Sequence, residues 1–211
     1  MTPLSTTQTR RAARRRHGAP SPWGMFLKGF VKHPLMVGSI VPSSDKLIAR
    51  MLGPVDWANT RLFIEYGPGV GTFSRAILDQ MAADATYLAI DTNIDFVRYL
   101  RQTVRDDRMR VVHGSAADVC RIVADHGFSH ADYVLSGLPF STLPTGVGDM
   151  IADQTARVIR PGGAFLVYQF SPKVRDLLHP RFASIDHAFE WWNMPPAHLY
   201  WAHVGAAAET R

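Results

Sequence analysis

Residues 61 to 71 read Arg-Leu-Phe-Ile-Glu-Tyr-Gly-Pro-Gly-Val-Gly, an apolar run that passes through an acid into three alternating glycines. A helical pattern, Phe73, Ile77 and Met81, follows directly. A strand that turns through glycines into a helix is the opening unit of a parallel α/β sheet, and few other folds accept it. Gly67, Gly69 and Gly71 lack the Cβ that would hold backbone amides away from a ligand, and the helix start presents the partly positive end of its dipole. A bound group can therefore touch main chain at this turn.

The next strand narrows the choice of ligand. Tyr87 to Ile90 is apolar and ends in Asp91, at the spacing where a carboxylate accepts hydrogen bonds from both hydroxyls of a ribose. NAD and S-adenosylmethionine both fit so far. The glycines depart from the dinucleotide fingerprint G-x-G-x-x-G, because Gly71 lies two residues after Gly69 and Thr72 comes next. Glu65, two residues before the first glycine, would repel a pyrophosphate but can orient a cationic amino-acid group. Both departures favour the methyl donor.

Alternation continues along the chain. Thr92 and Asp95 form a capping-box pattern before Phe96, Leu100 and Val104, and strands are expected at Met109 to His113, Tyr133 to Ser136 and Ala164 to Phe170. Helical patterns occupy Ala117 to Ala124 and Gly148 to Ile159, and Arg160-Pro161-Gly162-Gly163 is expected to end the last helix and start the fifth strand. From Ser184 the tail, broken at Pro195-Pro196, reads as two strands of an edge hairpin. The expected fold is α/β: a Rossmann-like, doubly wound sheet of seven mostly parallel strands with an antiparallel C-terminal edge hairpin, binding ligands at the carboxyl ends of its strands.

A length of 211 residues suits one domain of this kind with an N-terminal extension. The net charge of +5 is unevenly spread: residues 1 to 44 hold seven Lys and Arg and no acid, and the rest carries a net −2. Arg10, Arg11, Arg14, Arg15 and Arg16 form a cluster among Pro, Thr, Ser and Ala, which supply little apolar surface to bury. Trp23, Phe26, Leu27, Phe30 and Val31 then recur at helical spacing, with Lys28 and Lys32 on another side. Such a segment can lie on an anionic membrane, or dock its apolar stripe on the protein itself. We divide the chain into a basic extension (1–20), an amphipathic helical segment (21–52) and a catalytic domain (53–211). Export signals need an apolar region soon after the arginines, where His17, Gly18, Pro20 and Pro22 stand instead. No run approaches the roughly 18 apolar residues of a spanning helix. With Cys120 alone, no internal disulfide forms, and the expected compartment is reducing.

Five further segments carry a resemblance. Phe26 to Phe30 through Pro34, Gly38-Ser39-Ile40-Val41-Pro42-Ser43-Ser44, Ser136-Gly137-Leu138-Pro139-Phe140 with Tyr168-Gln169-Phe170, and Asn193-Met194-Pro195-Pro196, added to the glycine motif, resemble the bacterial phospholipid N-methyltransferases over residues 23 to 204. The resemblance implies S-adenosylmethionine as donor, S-adenosylhomocysteine as product, and the amine of phosphatidylethanolamine or a partly methylated derivative as acceptor, on the way to phosphatidylcholine. It implies that Glu65, Gly67 and Gly69 hold the amino-acid end of the donor, Asp91 its ribose, and His113, Gly114, Ser115 and Ala116 its adenine, with Ser43, Ser44, Gly71 and Thr92 also contributing to the donor site. Ser115 stands where the family often has an acid, and a hydroxyl gives a weaker, uncharged hydrogen bond there.

An ethanolamine amine has a pKa of about 10, so reaching its reactive neutral form from pH 7 costs about 4 kcal/mol, less in an apolar pocket. The lipid phosphate, Tyr66 or a water near Ser136 could serve as base. Phe140 and Tyr168 could accommodate the methylated cation on their ring faces. For Arg10 to Phe30 the resemblance implies attachment to an anionic surface, hence a cytoplasmic enzyme peripheral to the inner face of the plasma membrane.

Rival readings remain. A ribosomal-RNA adenine dimethyltransferase shares the glycine loop, but its loop begins with Asn where Gly137 stands, which makes nucleic acid a poorer partner. A small-molecule methyltransferase would leave the basic extension without a role, and a silent donor-binding module at a membrane would bind without turnover. His126 and His130 share a spacing, but Gly127 and the lack of a third ligand argue against metal. Trp191, Trp192 and Trp201 read as edge-strand packing rather than a headgroup cage. Oligomeric state is left open.

Overall fold

A computed structural model describes residues 44–193 and 195–205. Helix α1 (Asp45–Leu52) leads into β1 (Leu62–Tyr66), α2 (Ser74–Gln80), β2 (Thr86–Asp91), α3 (Ile94–Thr103) and β3 (Met109–His113). A short 3₁₀ turn (Ala116–Asp118) precedes α4 (Val119–Asp125), then come β4 (Ala131–Ser136), α5 (Val147–Val158), β5 (Ile159–Gln169), α6 (Val174–Leu178), β6 (Ser184–Glu190) and β7 (Ala197–His203). The seven strands form one sheet in the order β3-β2-β1-β4-β5-β7-β6. β1 to β5 run parallel, and β7 is antiparallel to both β5 and β6. The doubly wound sheet and the edge hairpin are as the sequence predicts.

Strands β1, β2 and β4 are buried along their whole length, which explains why they read as unbroken apolar runs. Their side chains alternate between two cores. Phe63, Tyr87, Tyr133, Leu166 and Leu199 meet α1 and α2 on one face, while Ile64, Leu88, Val134, Phe165 and Tyr200 meet α4, α5 and α6 on the other. Ser44 caps α1 by accepting from the Leu47 N–H at 3.2 Å, and Leu47, Ile48, Met51 and Leu52 of that helix are buried. Trp201 binds its indole N–H to the Met51 carbonyl at 2.9 Å, tying α1 to β7.

Two local expectations need correction. The cap of α3 is Asn93, whose side chain accepts from the Asp95 N–H at 2.9 Å, one residue later than the Thr92 pattern suggests. The Arg160-Pro161-Gly162-Gly163 segment does not separate helix from strand either. Pairing with β4 already starts at Ile159, against Ala131, and resumes at Ala164 against Tyr133, so the segment is a bulge inside β5. Gly162 supplies the positive φ of 78° that this bulge turns on.

Candidate active site

Strand order reverses about β1, and the crevice outside the carboxyl ends of β1 and β4 is where such a sheet binds ligands. A cavity of about 330 Å³ lies there. Tyr66, Gly67 and Gly69 from the β1 turn, Asp91, Thr92 and Asn93 after β2, and Gly114, Ser115 and Ala116 after β3 line one side. Gly137, Leu138 and Pro139 after β4, with Leu143, Pro144, Val147 and Ile151 at the start of α5, line the other. The polar and apolar halves come from opposite sides of the switch point.

Gly67 and Gly69 take φ values of 64° and 57°, a backbone region that side-chain-bearing residues avoid. A Cβ on Gly67 would stand 3.1 Å from Leu138 Cδ2, narrowing the cavity at its centre. Asp91 closes the cradle from beside it. One carboxylate oxygen accepts from the Gly69 N–H at 3.2 Å and the other from the Asn93 N–H at 2.7 Å. Burial pushes its pKa up from the ordinary carboxylate value, and those two backbone donors oppose the shift. Gly114 and Ser115 are set beside this carboxylate by the Gly114 N–H to Asp91 carbonyl bond of 3.0 Å and by His113 Nε2, 3.1 Å from the Thr92 carbonyl. Ser115 Oγ also accepts from the Ala117 N–H at 3.2 Å, capping the 3₁₀ turn. Asp118 lies on the exposed side, 3.7 Å from Arg121, and does not reach the cavity to replace the missing acid.

Several of the residues assigned to the site from sequence stand elsewhere. Glu65 points to the face of β1 opposite Tyr66, is buried, and accepts a hydrogen bond from the Tyr87 hydroxyl. Burial raises its pKa to about 7, which the Tyr87 bond partly offsets. It underlies the loop rather than lining the cavity. Gly71 also faces away, since a Cβ there would meet Leu100 Cδ2 at 2.8 Å and Ser74 Oγ at 3.0 Å. Ser44 caps α1 and gives its N–H to Asn193 Oδ1 at 3.0 Å, outside the cavity wall. Ser43 and the residues from Arg10 to Phe30 lie outside the described residues.

The structure also places the catalytic candidates. Tyr66 lines the cavity, but its hydroxyl is buried 3.0 Å from Thr155 Oγ1 and burial drives its pKa far above the ordinary phenol value, so it is no base for an incoming amine. Ser136 Oγ accepts from the Leu138 N–H at 3.2 Å and shapes the turn. Phe140 is partly buried and packs edge-on to Phe165 with ring centroids 6.4 Å apart, outside the residues that line the cavity. Tyr168 stacks on Phe73 at 5.2 Å and sets its hydroxyl against Gly137 so closely that no Cβ fits there. Gln169 donates to the Leu138 carbonyl. Residues 168 and 169 thus fix the loop after β4 from behind.

Sequence reasoning singled out the Gly137-Leu138-Pro139 loop but missed the rest of the apolar wall. Phe96, Leu143, Pro144, Val147 and Ile151 read only as helix or loop residues, and no local motif marks them. Among the described residues, no three His, Cys, Asp or Glu gather as a metal site, and no helix is long and apolar enough to cross a membrane.

No protein-family model matches the chain. An ornithine lipid N-methyltransferase from Singulisphaera acidiphila is 30% identical over 178 residues, which span 83% of this chain and 93% of the relative. Among solved structures, a precorrin-6y C5,15-methyltransferase from Geobacter metallireducens matches with a TM-score of 0.62 at 14% identity, over 77% of this chain and 89% of that one. A 16S rRNA N2 G1207 methyltransferase from T. thermophilus, in complex with AdoMet and guanosine, matches at 0.54 and 16% identity, over 74% and 42% of the two chains. At such identities the two structures speak for the fold, whereas the sequence relative covers nearly the whole length of both proteins. The chain belongs to the bacterial lipid N-methyltransferases of the class I S-adenosylmethionine-dependent superfamily.

Proposed function

We propose that this enzyme methylates the amine of phosphatidylethanolamine, or of its mono- and dimethyl derivatives, at the inner face of the plasma membrane. The observation that carries the reading is the division of the cavity wall into a glycine cradle with one carboxylate and a carboxylate-free apolar side. Gly67 and Gly69 would hold the amino-acid end of S-adenosylmethionine, Asp91 and Thr92 its ribose, and Gly114 to Ala116 its adenine. When bound, that donor supplies an electrophilic methyl group on a sulfonium.

Leu138, Pro139, Leu143, Pro144 and Val147 would then receive the acceptor. An ammonium entering among them loses hydration without gaining a counter-charge, so its pKa falls and part of the roughly 4 kcal/mol cost of the neutral amine disappears. The Tyr66 hydroxyl is already engaged, which leaves a water near Ser136 or the lipid's own phosphate to take the proton. Gly137 supports a lipid over an adenine acceptor: Tyr168 occupies the space that an Asn side chain would need.

The relative's named acceptor, an ornithine lipid, favours a second reading within the same class, since it too presents an amine on a lipid headgroup. Purified enzyme, a methyl-labelled donor and separate vesicles of phosphatidylethanolamine and ornithine lipid, with ribosomal RNA as a further arm, decide between them. Label in phosphatidylethanolamine is the expected result. Label in ornithine lipid alone, or in RNA, replaces it with the corresponding alternative.

A further inference from the structure

Among the described residues, Trp191 and Trp192 are the large apolar side chains most out of place, at 74% and 77% exposed. They occupy the turn between β6 and β7, whose described residues are tied to one another by hydrogen bonds and a ring contact. The Trp192 N–H donates to Glu190 Oε1 at 3.1 Å, Asn193 Nδ2 to the Pro195 carbonyl at 2.8 Å, and Trp191 packs edge-on to Phe189 at 4.4 Å. Both indoles are thus held in solvent by a framed turn, against a hydrophobic cost that a soluble surface gains nothing by bearing.

Register places this tip. Gln169, at the carboxyl end of β5, pairs with His198, which also pairs with Phe189. The turn therefore leaves the sheet at the same edge as the cavity, with β7 two strand spacings, about 10 Å, from β4.

Charge identifies what it meets. Lys46 Nζ lies 4.8 Å above the Trp192 ring. Arg50 neutralises the buried Glu190 at 3.3 Å while remaining half exposed. Asp45 is the one acid in the first turn of α1. Ser44, where the described chain begins, is bonded to Asn193 of the turn, so the preceding segment with its seven basic residues and no acid joins the molecule at this tip. Exposed Pro195 and Pro196 bring no N–H to desolvate, and an indole with an apolar body and a polar N–H suits a headgroup layer. We propose that the Trp191–Trp192 turn is a membrane-docking element that enters the headgroup layer of an anionic bilayer and sets the cavity mouth against it. This rests on the reading that the acceptor is a bilayer lipid.

The test uses the full chain carrying Trp23→Phe, which removes the N-terminal indole and leaves Trp57 and the buried Trp201 as a constant background to the tip, and phosphatidylglycerol–phosphatidylcholine vesicles with brominated acyl chains. Quenching on vesicle addition is expected, and Trp191→Phe with Trp192→Phe should remove it. Trp191→Ser with Trp192→Ser should weaken vesicle partitioning at least about tenfold, with donor affinity by calorimetry unchanged as the control for folding. Undiminished quenching or partitioning in these variants overturns the proposal, as does a change confined to self-association in sedimentation. Methyl transfer to lipid in detergent micelles by the unsubstituted enzyme reports the acceptor reading separately, so failure of one is distinguished from failure of the other.

Discussion

Glu65 shows how burial changes what a residue can do. Its spacing from the glycines marks it as a ligand for a cation, yet it faces Tyr87 in the core, and desolvation raises its pKa from 4.5 to about 7. Between those values the native state holds a proton that the unfolded chain releases. The stabilisation is thus complete below about pH 4.5 and is lost as pH rises through about 7, a change of about 3 kcal/mol. Urea denaturation from pH 5 to 8 should therefore show wild-type stability declining relative to Glu65→Gln by about that amount; parallel profiles would refute the assignment. The place of Asp91 at the cavity wall was legible because the end of a strand is a local fact. The fit of Tyr168 behind Gly137 was not, since it joins residues 31 apart in sequence through the pairing of β4 with β5.

At the level of elements, runs with strong patterns were read well and junctions poorly. β3 was placed at its observed limits and the hairpin at Ser184, because β-branched and apolar runs and the turn residues between them mark these strands even where they are only partly buried. The bulge in β5 escaped, as Pro-Gly-Gly reads as a break unless one knows what lies opposite. Asp132 lies opposite. Its carboxylate accepts from the Arg61 and Leu62 N–H groups at 2.7 and 2.8 Å and pairs with Arg160, so it anchors the start of β1 and the bulge of β5 to β4. It is only 4% exposed. Asp132→Ala should leave the Leu62 N–H unpaired in the core and cost about 2 to 4 kcal/mol, read as a lower urea midpoint. A midpoint within experimental error of wild type would mean that the anchor contributes nothing. The tryptophans divide along the same line: Trp201 packs as the strand pattern predicts, while Trp191 and Trp192 belong to a turn, and only its three-dimensional setting shows them to be exposed.

Across the whole molecule, the proposed chemistry and the proposed attachment draw on different parts of the chain. The cavity is almost uncharged apart from Asp91, so attraction to a negatively charged surface has to come from elsewhere. Residues 1–33 contain all seven basic residues of the acid-free N-terminal stretch, and removing them takes the net charge from +5 to −2. Each basic residue near an anionic surface contributes about 1 kcal/mol, so the segment outweighs what two indoles at the hairpin tip can supply. Deleting residues 1–33 should therefore abolish cosedimentation with anionic liposomes even with the Trp191–Trp192 tip intact. Raising salt from about 0.05 to 0.5 M should weaken the full-length chain in the same direction, because the screening length shrinks severalfold. Unchanged cosedimentation after the deletion would move the whole burden of attachment onto the described domain, and retention in high salt would make it apolar rather than electrostatic.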